Sequence, residues 1–179
     1  MQPRIPRQTV HEPVPPTVDD VAGFGAELVA AVAGARRRAV RGADRQIDSA
    51  HLLHSLLESD PGVRGAFGEE ARVARVLGYL VQRSIGYGLR WQGGVEDSGQ
   101  LPVVAVAEGF SPVAAVALEA ARARARQRGV TLAEGVDLLA AVLADPRSRA
   151  VEVLARAGVD AGEVLERVEK GEAGETGWG

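Results

Sequence analysis

The stretch FGAELVAAVAGARRRAVRGADRQIDSAHLL, residues 24–53, has a partner in FSPVAAVALEAARARARQRGVTLAEGVDLL, residues 110–139. Phe24 and Phe110 lie 86 residues apart. The same offset carries Ala31 to Ala117, Ala35 to Ala121, Arg36 to Arg122, Arg38 to Arg124 and Ala39 to Ala125. It also carries Leu52-Leu53 to Leu138-Leu139 and Leu57 to Leu143. Turn signals fall close to step, Asp60-Pro61 beside Asp145-Pro146. An offset kept through two segments and their turn is more than shared composition gives, and it predicts one helical unit used twice.

The periodicity around that stretch is helical. Phe24, Leu28, Ala31, Val32 and Ala35 recur on one face, and Thr17, Asp19 and Asp20 offer caps ahead of them. Arg36, Arg37, Arg38 and Arg41 crowd the last turns, where cations favour the helix C-terminus, and Gly42 marks the end. A second helix starts at Asp48 or Ser49, with Leu52, Leu53, Leu56 and Leu57 as its stripe. A short segment around Val63–Phe67 precedes a helix over 69–85, with Val73, Val76, Leu77, Leu80 and Val81 as its buried face.

The pattern then restarts. Ser111-Pro112 is an N-cap followed by proline at the first helical position, and the helix ends at Gly129. EGVDLLAAVLAD, RSRAVEVLARAG and DAGEVLERVEK supply three more helices, the last capped by Asp160. The expected architecture is all-α, two repeats of about four helices packed into one body, since each unit alone is small. Repeat one spans 19–90 and repeat two spans 109–170. Residues 91–108 read as a linker in which Val103–Ala107 is apolar enough to pack. Five prolines make residues 1–18 a flexible arm, and 171–179 read as a disordered tail.

Composition narrows the function. The 179 residues are 46% hydrophobic and 25% charged, which is ordinary globular usage. There is no cysteine, which excludes disulfides, thiolate metal sites and cysteine nucleophiles. Aromatics are 4%, too few for a base-stacking platform. Basic residues number 21 against 24 acidic, a balance that opposes nonspecific nucleic-acid binding. Lys170 is the only lysine and Gly171 follows it, so no Walker A phosphate loop exists. No apolar run reaches the roughly 18 residues of a membrane helix, and no secretory signal is visible. The cytoplasm is the default compartment.

The repeat resembles that of the Clp N-terminal domain, the adaptor- and substrate-binding domain of Clp ATPases. Phe24 and Phe110-Ser111-Pro112 match the family's repeat openings. Ser49-Ala50-His51-Leu52-Leu53 matches its histidine–leucine element, with Asp137-Leu138-Leu139 as a weaker partner. Ala157-Gly158-Val159-Asp160 resembles the last element, and the likeness spans roughly residues 20–170. No ATPase modules follow, so the resemblance reads as a stand-alone Clp N-domain that binds and does not catalyse. In some members this domain recognises phosphorylated arginine through glutamates of the histidine elements and a nearby threonine. Here Ala50 and Val136 stand at the glutamate positions, and Gly25 replaces one opening threonine. Neither Ala50 nor Val136 can meet a guanidinium by charge. The retained Phe110 and Ser111 imply an apolar groove for a peptide or cyclic peptide.

Phe24 and Phe110 read first as core or rim residues of their repeats, and the arginine clusters as a solvated helix face; the ligand-groove candidates are Phe24, Phe110, Ser111 and Pro112, with Arg36, Arg38, Arg122 and Arg124 as a basic rim. His51 and His54 have the i, i+3 spacing of a zinc pair. No cysteine accompanies them and the third histidine, His11, sits in the arm, so no metal is expected. No cofactor and no catalytic motif is read; no nucleophile elbow is present. The expected partners are Clp substrates, adaptors or a Clp ATPase, with a cyclic peptide as another ligand and no membrane. The protein would modulate or compete in a Clp protease pathway, or sequester Clp-targeting cyclic peptides. The alternative is an arginine-rich helical regulator associated with nucleic acid. Its arginines at 122, 124, 126 and 128 alternate around a helix and do not form one stripe.

Overall fold

The structure, a computed structural model, describes residues 21–84 and 109–175. The expected arm, the caps Thr17, Asp19 and Asp20, His11 and the 91–108 linker lie outside the described residues. Among the described residues there are eight helices: α1 (Ala26–Arg41), α2 (Ser49–Ser59), α3 (Pro61–Ala66), α4 (Glu70–Ser84), α5 (Pro112–Gln127), α6 (Gly135–Ala144), α7 (Arg149–Arg156) and α8 (Ala161–Glu175). Four fall in each repeat, as the sequence predicts.

Capping chemistry sets most of the starts. Asp48 caps α2 by accepting from His51 N–H at 2.9 Å, while Asp48 N–H donates to His51 Nδ1 at 3.0 Å. This closes a capping box. Asp137 plays the return part in α6, accepting from Glu134 N–H at 2.8 Å. Ser111 Oγ accepts from Ala114 N–H at 3.1 Å, ahead of Pro112 at the first position of α5. Asp60 and Ser148 cap α3 and α7 in the same way.

Helices α2 and α6 are central. Leu52, Leu53, Leu56 and Leu57 of α2 are fully buried, as are Leu138 and Leu139 of α6. Each such leucine contributes about 1.5–3 kcal/mol by leaving water. α1 packs on α2, α5 packs on α6, and α7 lies against both α2 and α6. Arg149 of α7 donates to Asp48 at 2.7 Å, and Ala150 N–H donates to Ser49 Oγ at 3.1 Å. The N-terminus of α2 is thereby fixed by the other repeat.

The two repeats also exchange short extended segments. Phe24 forms a parallel bridge with Ala133, and Ile47 forms one with Phe110. These are the same pairing read twice at the offset of 86 residues. Gly25 N–H donates to Ala133 C=O at 2.9 Å, and Ala133 N–H donates to Gly23 C=O at 2.8 Å. Ser111 N–H donates to Ile47 C=O at 2.9 Å, and Ile47 N–H donates to Gly109 C=O at 2.6 Å. Gly23 and Gly109 carry φ of +83° and +96°, a left-handed conformation that turns each chain into its bridge.

Four expectations need correction. Phe24 does not lie on α1; its backbone is spent on the bridge to Ala133, so the helix begins only after Gly25. Caps at residues 17–20 would therefore start the helix too early. Val81 is 48% exposed and Leu77 only partly buried, because α4 meets its neighbours through Val73, Val76 and Leu80. The tail is not irregular throughout: α8 continues past Lys170 to Glu175, carrying Gly171 and Gly174 within its turns.

Candidate functional site

The predicted site residues divide into two groups. Phe24 and Phe110 are 6% and 2% exposed, so they are core residues and do not line an open surface. A cation from the opposite repeat covers each ring. Arg122 Cζ lies 4.3 Å from the Phe24 ring centre, and Arg36 Cζ lies 5.7 Å from that of Phe110. Arg122 also donates to Ala22 C=O at 2.8 Å and to Glu119 at 2.6 Å. Ser111 is fully buried and spent on its cap. Phe24 and Phe110 follow the core reading, and with Ser111, Arg36 and Arg122 they form the seam that joins the repeats. The physical reason is the exchanged bridge, which draws both repeat openings inward.

Arg38 and Arg124 lie elsewhere. Arg38 pairs with Glu58 across the α1–α2 face. Arg124 lies 4.0 Å from buried Asp137, which Arg128 also meets at 2.6 Å. Of the eight predicted residues, Arg124 lines the groove between α5 and α6. That groove, about 470 Å³, runs between α5 and α6. Val113, Val116, Ala117 and Ala120 form one wall, and Ala140, Ala141 and Ala144 the other. Asp145, Pro146 and Arg147 close one end. Val116 is 47% exposed, so an aliphatic surface faces the opening. Arg147 pairs with Asp145 at 3.4 Å while its side chain stays 55% exposed. The arrangement can bury a small aliphatic group beside the Asp145–Arg147 pair.

The histidine pair does not converge. His51 Nε2 meets Asp44 at 2.8 Å and its Nδ1 meets the Asp48 cap at 3.0 Å. Burial opposes charge on the His51 ring, but Asp48 and then Asp44 outweigh it and raise the pKa above its ordinary value. Burial likewise works against the Asp48 carboxylate, yet His51 and Arg149 hold it below the usual range. His54 is buried, 3.3 Å from Glu58, and burial followed by the Arg38 charge pulls it down to about 4. Among the described residues no cluster of three His, Asp or Glu could hold a metal ion.

The arginines of α1 and α5 are also drawn into local pairs. Glu58, Glu119 and Asp137 each engage at least one of them. Among the described residues no helix is long and apolar enough to cross a membrane.

The comparisons with known proteins bear on this geometry. The family model of the Clp repeat (R) N-terminal domain matches residues 109–173, the second repeat. The N-terminal domain of Hsp104 from Candida albicans superposes with a TM-score of 0.61 at 15% identity, covering 81% of this chain and 88% of that one. The N-terminal domain of the caseinolytic protease associated chaperone ClpD from Arabidopsis thaliana superposes with a TM-score of 0.61 at 17% identity, covering 83% and 93%. Identities this low speak for the fold. No curated protein matches the chain.

The all-α fold of eight helices among the described residues is thus Clp N-domain-like. The family match covers the second repeat, residues 109–173, and the fold likeness extends over both repeats.

Proposed function

We propose that this protein is a non-enzymatic peptide- and protein-binding module of the cytoplasm whose ligand enters the α5–α6 groove. The observation that carries the reading is the groove itself, with aliphatic walls, exposed Val116 and arginine at its rim. Pockets that hold ligands are concave and mostly apolar, with a few polar groups to fix orientation. The module competes for, or tunes delivery of, substrates and adaptors in a Clp protease pathway. Cyclic peptides that target Clp proteins are a second ligand class for the same apolar walls.

The test is a degradation assay with a Clp ATPase, its protease and an adaptor-delivered substrate. Added protein should slow degradation, and Val116→Asp, at an exposed position, should abolish the effect. No inhibition by the parent protein at any concentration would refute the competitor role. Inhibition by parent and variant alike would refute the groove.

A further inference from the structure

The peptide unit between Ile47 and Asp48 serves two partners at once. Its C=O accepts from Ser111 N–H of repeat two at 2.9 Å, in the bridge that joins the repeats. Its N–H donates to His51 Nδ1 at 3.0 Å, in the capping box of α2. The unit is planar and rigid, so a rotation that suits one partner is felt by the other. The second bridge is built the same way. Ala133 C=O accepts from Gly25 N–H at 2.9 Å, and Glu134 N–H donates to Asp137 Oδ2 at 2.8 Å. The difference is the acceptor. It is a ring nitrogen in repeat one and a carboxylate, paired with Arg128 at 2.6 Å, in repeat two.

A ring nitrogen accepts only while it carries no proton. Asp44 fixes which nitrogen that is. Its carboxylate lies 2.8 Å from Nε2, so the proton of the neutral ring sits on Nε2 and Nδ1 keeps its lone pair. A second proton goes to Nδ1, which then faces Asp48 N–H as donor against donor. Asp48 Oδ1, also 3.0 Å from Nδ1, gives the new donor an acceptor. That oxygen already takes His51 N–H at 2.9 Å, and the other carboxylate oxygen holds Arg149 of α7 at 2.7 Å. Around the ring stand Asp44 from the loop after α1, Asp48 from the cap, and Arg149 of α7 behind Asp48. His54 follows on α2 itself, with Glu58 and then Arg38 of α1 beyond it. Burial works against the charged ring, but Asp48 and Asp44 outweigh it, so the midpoint lies above pH 6.5. His54 charges only toward pH 4.

We propose that His51 is a proton-operated latch on the joint between the repeats. Neutral, it closes the cap of α2 and holds the Ile47–Asp48 peptide in place for Ser111. Charged, it releases Asp48 N–H for the Asp48 carboxylate, and the bond from Ser111 loosens with it. Hydrogen bonds in series polarise one another, so loss of the N–H partner weakens the C=O as an acceptor. Ser111 caps α5, so the start of that helix responds to a proton bound in the other repeat. The bridge at Ala133, backed by Asp137, stays closed.

Amide hydrogen exchange of the full chain, followed residue by residue by NMR between about pH 8.5 and about pH 5, tests the latch. Nitrogen shifts of the His51 ring in the same samples give its tautomer and midpoint. The neutral ring should carry its proton on Nε2. Protection of the Asp48 amide, corrected for intrinsic rate, should fall about five- to tenfold as the ring charges, the amount one such bond supplies. Ser111 protection should fall with the same midpoint, while Glu134 and Gly25 stay level. His51→Gln supplies an acceptor that never charges, as in the usual capping box, and should hold Asp48 and Ser111 level throughout. A neutral ring with its proton on Nδ1, read on the parent protein without any variant, would overturn the proposal. So would Asp48 protection that ignores the His51 midpoint, a fall at Asp48 that Ser111 does not share, a fall shared by Glu134 and Gly25, or a fall that persists in His51→Gln.

Discussion

His54 should make the protein lose stability in mild acid, and His54→Ala should remove most of that loss. The side chain is buried, with the Arg38 charge nearby, and both effects favour the neutral ring. Its pKa falls from 6.5 in the unfolded chain to about 4 in the folded one. The unfolded state therefore binds the proton first as pH drops. The His54 contribution is present above pH 6.5 and is lost as pH falls toward 4. At about 1.4 kcal/mol per pH unit the whole interval is worth roughly 3 kcal/mol. Glu58 beside it is 47% exposed, so water screens one side of the ring and about 2 kcal/mol is the better figure.

His51 has the opposite sign. Its raised pKa gives stability that is full below pH 6.5 and lost as pH rises through the folded value, so it does not contribute to the acid loss. The lowered pKa of Asp48 acts only as pH falls below 3.8. The interval between therefore isolates His54. Alanine is a suitable replacement because Ala140 holds the equivalent place in repeat two. The assay is urea unfolding of parent and variant at several pH values between about 6.5 and 4.5. The parent should lose about 2 kcal/mol more than the variant over this range. Parallel curves would refute the argument, as would a His54 ring resonance titrating near its ordinary midpoint.

Ala43 adopts φ of +53° at the end of α1, where the equivalent residue in repeat two is Gly129 at +76°. Ala43→Gly should therefore stabilise by about 0.5–1 kcal/mol, read as a rise in the urea midpoint. A Cβ on Gly135 would collide with the Asp60 carboxylate and come within 3.1 Å of Val63, so Gly135→Ala should destabilise by about 1–3 kcal/mol. Arg122→Ala should cost more than Arg36→Ala, about 2 against about 0.5 kcal/mol, because Arg122 lies closer to its ring and also donates to Ala22. Thermal unfolding of the pair decides it. Ala50 is nearly buried and Val136 carries no charge, so free phosphoarginine should not displace a bound peptide in a fluorescence competition assay.

The helices were legible because their signals are local. Ser111-Pro112, Asp48 and Asp160 mark starts, and each helix repeats its apolar face within a few turns. Phe24 misled for the same reason. It stands four residues before Leu28 and so continues the stripe of α1, while the partner that pulls it away, Ala133, belongs to the other repeat. Glycine on both sides of Phe24 was the available sign that the chain turns there. Val81 fits the stripe of α4 equally well, and no local rule shows where the packed neighbours stop. The site was harder to read, because small alanines that line a groove look like ordinary helix formers.

The repeat itself held that information, in its mismatches. Of the positions kept at the offset of 86, Phe24 with Phe110 and Arg36 with Arg122 join the two halves, whereas Arg38 and Arg124 pair within their own repeats. Duplication explains why: each half must present the same surface to its twin, so the seam is constrained twice over. The outer faces carry no such demand. There His54, Ser55 and Glu58 diverge from Ala140, Ala141 and Ala144, and the three alanines line the α5–α6 groove. In a duplicated fold, similarity between repeats marks where they hold each other. The difference falls on the α5–α6 face, where small alanines stand in place of the polar side chains of repeat one and leave room between the helices.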